Sequence, residues 1–324
     1  MVCTFKCTPD VRATSEVIRP YLERNQRVAR GHPAPHIVLI QNGIDIEEEV
    51  FSSLVQSSPP LARGLISGLT WVGVTLLGEG SRIEHGMLEK LQAGLYTGAD
   101  EPPPAPESKA ALSTFESLLK KGGSTVEVCE DIQARRWSKM LWNVSWGGLC
   151  VLSRQPVGVL ISAEMLPYSC GVVRRIMTEV IAVARASGFD ESRMPASLVD
   201  HVLSLTLDQT PARKFNPAHP DAAPSEPASN SVQPDFKPSI LVDLERQRPM
   251  EVDPIFGHLV HRARNVGVET PRLDMIVAVL KSYQFVFVAQ QRAKSGEAPS
   301  ETGSAGGVYN VNPHAHPTAG APVV

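Results

Sequence analysis

Along the first 130 residues the hydrophobic positions come in short runs rather than long stripes. Residues 2–6 (VCTFK) are β-prone and lead into Pro9-Asp10, after which Val11, Ile18 and Leu22 recur at roughly helical spacing. His36–Gln41 (HIVLIQ) is an unbroken apolar run closed by Asn42-Gly43, the pattern of a strand buried on both faces. Ile44–Leu54 predicts a helix with an acidic first turn (Asp45, Glu47, Glu48), which suits the positive end of the helix dipole. Segments 61–77 and 81–97 are Gly-rich and β-prone and predict further strands and turns. Ala110–Lys120 predicts a helix ended by Gly122-Gly123, and Thr125–Cys129 a strand. This alternation of strand and helix predicts a parallel α/β sheet.

From Asp131 the pattern is helical. Ile132–Leu152, Leu166–Ser187, Ala196–Leu207 and Ser239–Gln247 all read as helices. Asp253-Pro254 is placed as an N-cap with proline at the first helical position, Gly267 as a C-cap, and a last apolar helix runs from Arg272 to about Ala289. Three regions follow: an α/β domain over residues 1–130, a helical domain over 131–291 with a Pro-rich insert at 209–237, and a Gly/Ser/Pro-rich tail over 292–324. Insert and tail are expected to be disordered.

The length of 324 residues fits one large or two ordinary domains. A net charge of −3, with no basic stripe, argues against nucleic acid and anionic membranes as partners. Five cysteines without Cys-x-x-Cys pairing read as reduced intracellular thiols, so neither a disulfide framework nor a metal site is expected. The start lacks the apolar core of a signal peptide. The most apolar stretch, Leu273–Ala289, is interrupted by Asp274, Lys281 and Gln284; a soluble, cytoplasmic protein is expected.

Three segments carry candidate chemistry. In Trp137–Leu149 (WSKMLWNVSWGGL), Lys139 and Asn143 stand four apart on one helix face among three of the four tryptophans. A lysine in an apolar, aromatic surround suits proton donation, although a surface lysine lying over a Trp-rich packing face fits the same pattern. In Lys237–Asp253, Ser239 and Glu251 are each compatible with a plain helix cap and an exposed acid, and spacing alone shows no convergence between them. Asn42, after the apolar run, and Lys6, after the first β run, stand where the carboxyl ends of parallel strands meet ligands; Asn-Gly is also a common turn.

Taken in order, Lys6, then IVLIQNGI, then K-x-x-x-N in a Trp-rich helix, then PSILVDLERQRPMEVD and RARNVGV-x-x-P, the chain resembles the ketopantoate reductase (2-dehydropantoate 2-reductase) family over about residues 2–290. The resemblance implies an incomplete Rossmann-type α/β domain followed by a helical domain of the 6-phosphogluconate dehydrogenase C-terminal type. It implies NADPH-dependent reduction of a 2-keto acid, most naturally 2-dehydropantoate, and a possible homodimer; the alternatives are a relative acting on another ketone, and a non-catalytic remnant that only binds a partner or dimerises. Lys139 would be the general acid and Glu251 its catalytic neighbour. Asn143 and Ser239 would bind substrate, while Lys6 and Asn42 would contact NADP. Two departures stand out. Gly147 occupies the position where the family commonly has a second Asn, and the sequence contains no G-x-G-x-x-G. The resemblance therefore implies two leading βα units, on the order of 60 residues, that this sequence does not contain, so the chain is expected to hold a dinucleotide weakly.

Overall fold

The structure is a computed structural model and describes residues 1–24, 31–77, 82–98, 104–208 and 236–295. Most of the Pro-rich insert and almost all of the tail fall outside the described residues.

Five strands form one sheet in chain order: β1 (Val2–Cys3), β2 (His36–Ile40), β3 (Gly64–Leu77), β4 (Arg82–Tyr96) and β5 (Val126–Val128). Helix α1 (Thr14–Glu23) connects β1 to β2. Helix α2 (Ile46–Val50), continued by a π-helical turn over Phe51–Val55, connects β2 to β3, and α3 (Pro106–Lys121) connects β4 to β5. Each of these crossovers returns the chain parallel to its start.

The sheet is parallel, as expected, except at one place, where β3 and β4 run antiparallel from Leu65↔Tyr96 to Leu77↔Arg82. Only residues 78–81 separate them, far too few for a crossover, so the two strands close as a hairpin. β2 stops pairing with β3 at Gly68, and β5 pairs with β4 only at Leu91–Ala93. Beyond those points, from Trp71↔Lys90 onward, the hairpin continues as a two-stranded ribbon, with Thr70 standing just before it opposite Leu91.

Alternation along β2 explains why it reads as a continuous apolar run. Ile37 and Leu39 pack with Ile18, Leu22 and Leu54 under α1 and α2, while Val38 packs with Ile66, Ala93 and Leu112 under α3. Among the described residues every strand lies before residue 129.

The rest is helical: α4 (Ile132–Ser153), α5 (Val157–Leu160), α6 (Leu166–Ala186), α7 (Ser197–Asp208), α8 (Ser239–Glu245), α9 (His258–Asn265) and α10 (Pro271–Ser295). Asp253-Pro254 does not cap α9 as expected. A π-helical turn over Asp253–Gly257 runs straight into that helix, and the Asp253 carboxylate accepts from Lys281 instead. Helix α10 is apolar around most of its circumference. Leu273, Ile276 and Leu280 enter the core, while Met275, Phe285 and Val286 are exposed. Its first turn is held by the buried Glu179 of α6, which accepts from the backbone N–H groups of Arg272 and Leu273.

The turn after β2 fastens the two halves together. Ile44 is fully buried in the helical core, its N–H donates to the Pro254 carbonyl at 3.0 Å, and its own carbonyl contacts His258 Nδ1 at 2.8 Å. One residue on, Asp45 takes both arms of the Arg262 guanidinium at 2.5 Å. The carboxyl end of β2 is thereby set against the middle of α4.

Candidate active site

Helix α4 begins with Asp131, whose carboxylate accepts from the Ala134 N–H at 3.0 Å. Two turns in, Lys139 leaves the helix on the side facing the sheet. Its Nζ donates to Asn42 Oδ1 at 2.8 Å and to the Thr70 carbonyl at 2.5 Å, and it lies 5.6 Å from the centre of the Trp71 ring. Burial, and then the neighbouring Arg136 cation, pull its pKa from 10.5 to about 8, with Glu251 acting in the opposite sense.

The aromatic surround expected from the Trp-rich helix is a different one in the structure. Trp137 and Trp146 are core residues. Trp142 packs on Phe236 and donates to Thr206. The ring near the ammonium is Trp71, brought in by the β3–β4 ribbon. Trp137 and Trp146, nine residues apart, lie on opposite sides of α4, so the tryptophans mark no single face of the helix, and none of them is the ring beside Lys139.

Asn42 works with both ends of its amide. While Oδ1 accepts from Lys139, Nδ2 donates to Glu251 Oε2 at 3.3 Å, and Glu251 Oε1 accepts from the Cys7 N–H at 3.1 Å. Glu251 is 4% exposed. Burial raises its carboxyl pKa, opposed by the Cys7 and Asn42 hydrogen bonds and by the Lys6 charge. A continuous chain Cys7–Glu251–Asn42–Lys139–Thr70 therefore crosses the cleft, joining the segments that follow β1 and β2, the strand β3, the loop after α8 and α4.

The small, open pocket beside this chain is lined by Asn42, Gly43, Leu69, Lys139, Met140 and Asn143, together with the buried Arg136. Asn143 sits one turn beyond Lys139 on the same face. Its amide has no hydrogen-bond partner among the described residues and is free to meet a ligand.

The remaining sequence candidates lie at the edges of this arrangement. Lys6 forms an ion pair with Asp243, which is 1% exposed and also accepts from Arg248 at 2.5 Å. Ser239 is exposed in the first turn of α8 and makes no contact with the pocket.

Sequence reasoning missed Thr70, Trp71, Asp243 and a buried cluster around Arg136 and Glu47. Arg136 Nε lies 2.6 Å from Glu47 Oε1, with both side chains almost completely buried. Arg136 stands three residues before Lys139, a spacing that places it on the same side of a helix, and this was an available signal. Glu47 offered none, because it is one of three consecutive glutamates.

Chemically, the pocket presents an ammonium tuned toward neutral pH, a free amide one turn away and a buried carboxylate behind them. Such a set can orient a small polar carbonyl compound and give a proton to its oxygen.

Residues 131–284 match the family described as ketopantoate reductase PanE/ApbA C terminal. An uncharacterized protein of Saccharomyces cerevisiae, YDL144C, is 26% identical over 268 residues, covering 82% of this chain and 65% of that protein. A 2-dehydropantoate 2-reductase of Nostoc is 25% identical over 245 residues, covering 76% of this chain and 64% of that enzyme. The chain thus spans just under two thirds of the length of either relative. Among solved structures, 2-dehydropantoate 2-reductase from Methylococcus capsulatus aligns with a TM-score of 0.58 at 28% identity, covering 85% of this chain and 75% of the other.

Proposed function

We propose that the cleft reduces a 2-keto acid with a nicotinamide cofactor, because residues 131–284 match the C-terminal part of the ketopantoate reductase family and the chain is similar to 2-dehydropantoate 2-reductases over most of its length. The substrate we propose is 2-dehydropantoate, converted to pantoate as a step toward pantothenate, with NADPH as donor. The observation that carries the reading is the Lys139–Asn42–Glu251 chain across the cleft, with the unpartnered Asn143 amide beside it.

In this reading Lys139 leaves the Thr70 carbonyl for the ketone oxygen and delivers its proton as negative charge develops there, a contribution of about a hundred- to ten-thousand-fold. Asn42, itself held by Glu251, keeps the ammonium on the pocket side. Asn143 orients the substrate. Ser239, at the first turn of α8, is proposed for the carboxylate side, which requires substrate or cleft closure to bring it into contact.

When bound, the nicotinamide supplies the hydride. The residues present fit its nicotinamide side: Asn42 borders the pocket at the carboxyl end of β2, and Lys6 follows β1, held at the cleft by Asp243. They do not fit a pyrophosphate, because α1 starts from Ala13 with no glycine before it to open the backbone.

One observation favours a different ketone substrate. Gly147, one turn beyond Asn143, is buried, and a side chain there would meet Ile240 Cγ2 at 3.7 Å. The helix offers no second amide at this turn, and an apolar substrate end suits the site better than a hydroxyl. Kinetics across a panel of 2-keto acids with and without a terminal hydroxyl separates the two readings.

A single substitution tests the site itself. Asn143→Ala should raise KM roughly two- to tenfold, the value of one neutral hydrogen bond, and leave the unfolding midpoint unchanged, because the amide has no protein partner to lose. An unaltered KM would remove Asn143 from the binding site. We further propose that two copies of the chain associate through the exposed apolar strip of α10, which light scattering on the purified protein would reveal as a doubled mass.

A further inference from the structure

Arg136 is the most completely engaged side chain near the pocket. It is 2% exposed. Its Nε donates to Ser67 Oγ at 2.8 Å, one terminal nitrogen donates to the carbonyls of both Gln41 and Gly43 at 2.9 Å, and the other donates to the Gly68 carbonyl at 3.0 Å. Glu47 supports it, accepting from Ser67 Oγ at 2.6 Å and from Gln133 Nε2 at 2.9 Å. The two carbonyls on one nitrogen straddle Asn42. The Gly68 carbonyl lies two residues before Thr70 on the same strand. Both acceptors of the Lys139 ammonium, Asn42 Oδ1 and the Thr70 carbonyl, therefore sit on backbone that this one guanidinium grips.

We propose that Arg136, neutralised by Glu47, is the positioning residue of the site: by holding the backbone around Asn42 and at Gly68 in the middle of β3, two residues before Thr70, it fixes where the Lys139 ammonium lies. No other residue type gives this grip, since a planar fork with five N–H donors reaches four acceptors on two strands at once. Lysine would keep the charge and lose the fork. The inference rests on the reading of Lys139 as proton donor, and its consequence is a proton affinity set by confinement. Around the ammonium the charged groups are Arg136 on its own helix and Glu251 on the loop after α8; from β2 and β3 come only the neutral Asn42 amide, the Thr70 carbonyl and the Trp71 ring.

The test is a carbon-13 NMR titration of the lysine Cε resonances in the whole chain, with the Lys139 signal identified by its loss in Lys139→Ala. In the wild type it should titrate near 8. In Arg136→Lys, which keeps a buried cation for Glu47 but gives up the two-strand grip, the released ammonium should titrate at least about one unit higher, a tenfold gain in proton affinity. A folded Arg136→Lys chain, judged by near-ultraviolet circular dichroism, whose Lys139 still titrates at the wild-type position overturns the inference. Should that variant not fold, Arg136→Met with Glu47→Leu removes the buried pair as a unit; because loss of the Arg136 charge by itself raises the Lys139 pKa, the deciding readout there is the nuclear Overhauser contact between the Lys139 Cε protons and the Trp71 ring, whose loss supports the inference and whose retention overturns it. A wild-type Lys139 titrating above 10 would instead count against the proton-donor reading itself, before any variant is made.

Discussion

Lys139→Met should abolish turnover and leave the protein at least as stable below pH 8 as the wild type. The rate loss expected is about a hundred- to ten-thousand-fold, the usual worth of a positioned acid. The stability result follows from the depressed pKa, about 8 in the folded chain against 10.5 when exposed. Between those two values the unfolded chain takes up the proton first. Falling pH therefore favours the unfolded state until the folded pKa is passed, and the stability that Lys139 contributes above pH 10.5 is lost by about pH 8. Relative to Lys139→Met, the wild type should lose up to about 3 kcal/mol over that window, less whatever solvent recovers at this partly exposed side chain. Urea unfolding of both proteins at pH 7, 9 and 10.5 measures it. Parallel pH curves would show that Lys139 is not desolvated. A variant destabilised at every pH to the same extent as it is inactivated would make Lys139 a structural residue.

Gly43→Ala is expected to be the most damaging single methyl group that can be added to this chain. Gly43 has φ +100°, in the region L side chains rarely adopt, and a Cβ there would lie 2.5 Å from Pro254 Cβ and 2.6 Å from its carbonyl carbon. Neither partner is free to retreat. The Pro254 carbonyl accepts from Ile44, whose side chain is locked in the helical core, and the Gly43 carbonyl accepts from Arg136. Strain at the dihedral alone is worth about 1–3 kcal/mol, and relieving the overlap means parting the two halves at their main joint. A loss of more than about 3 kcal/mol in denaturant unfolding is expected, with Asn42 and Lys139 displaced from each other. Gly123→Ala is the control. It has a similar φ of +91° but nothing within 4 Å, so it should cost only the dihedral strain. Equal losses in the two variants would mean that the joint yields.

What could be read from the chain alone followed the range of each interaction. Strand β2 was legible because burial on both faces leaves an unbroken apolar run, and α4 because its apolar positions repeat at helical spacing. Lys139 and Asn143 were legible as a pair for the same reason, being neighbours one turn apart. The parallel sheet was legible from the alternation of strand and helix; the one antiparallel pair, β3–β4, was not singled out, although the glycines between the two β-prone runs were a turn signal. The partners of Lys139 are long-range. Asn42, Thr70 and Glu251 come from three separate segments, and only the ordered resemblance to a family placed two of them in one site. Trp71 lies 68 residues away in the chain and had no local mark at all. Glu47 looked like an ordinary surface charge; Arg136, three residues before Lys139, carried a helical-spacing signal, but its buried partner is 89 residues away and left no local pattern.

The central claim is that Lys139 gives its proton to a ketone in this cleft, and the pH dependence of kcat/KM for 2-keto acid reduction tests it most directly. The assay uses a form of the protein that binds the nicotinamide cofactor, with wild type and Lys139→Ala compared. The wild type should lose activity tenfold per pH unit above an apparent pKa near 8, because the donor must carry its proton in the free enzyme. In Lys139→Ala that limb should vanish and the residual rate should be flat across the same range. A wild-type profile with no fall up to pH 10, or a limb near 8 that survives in Lys139→Ala, would contradict the account.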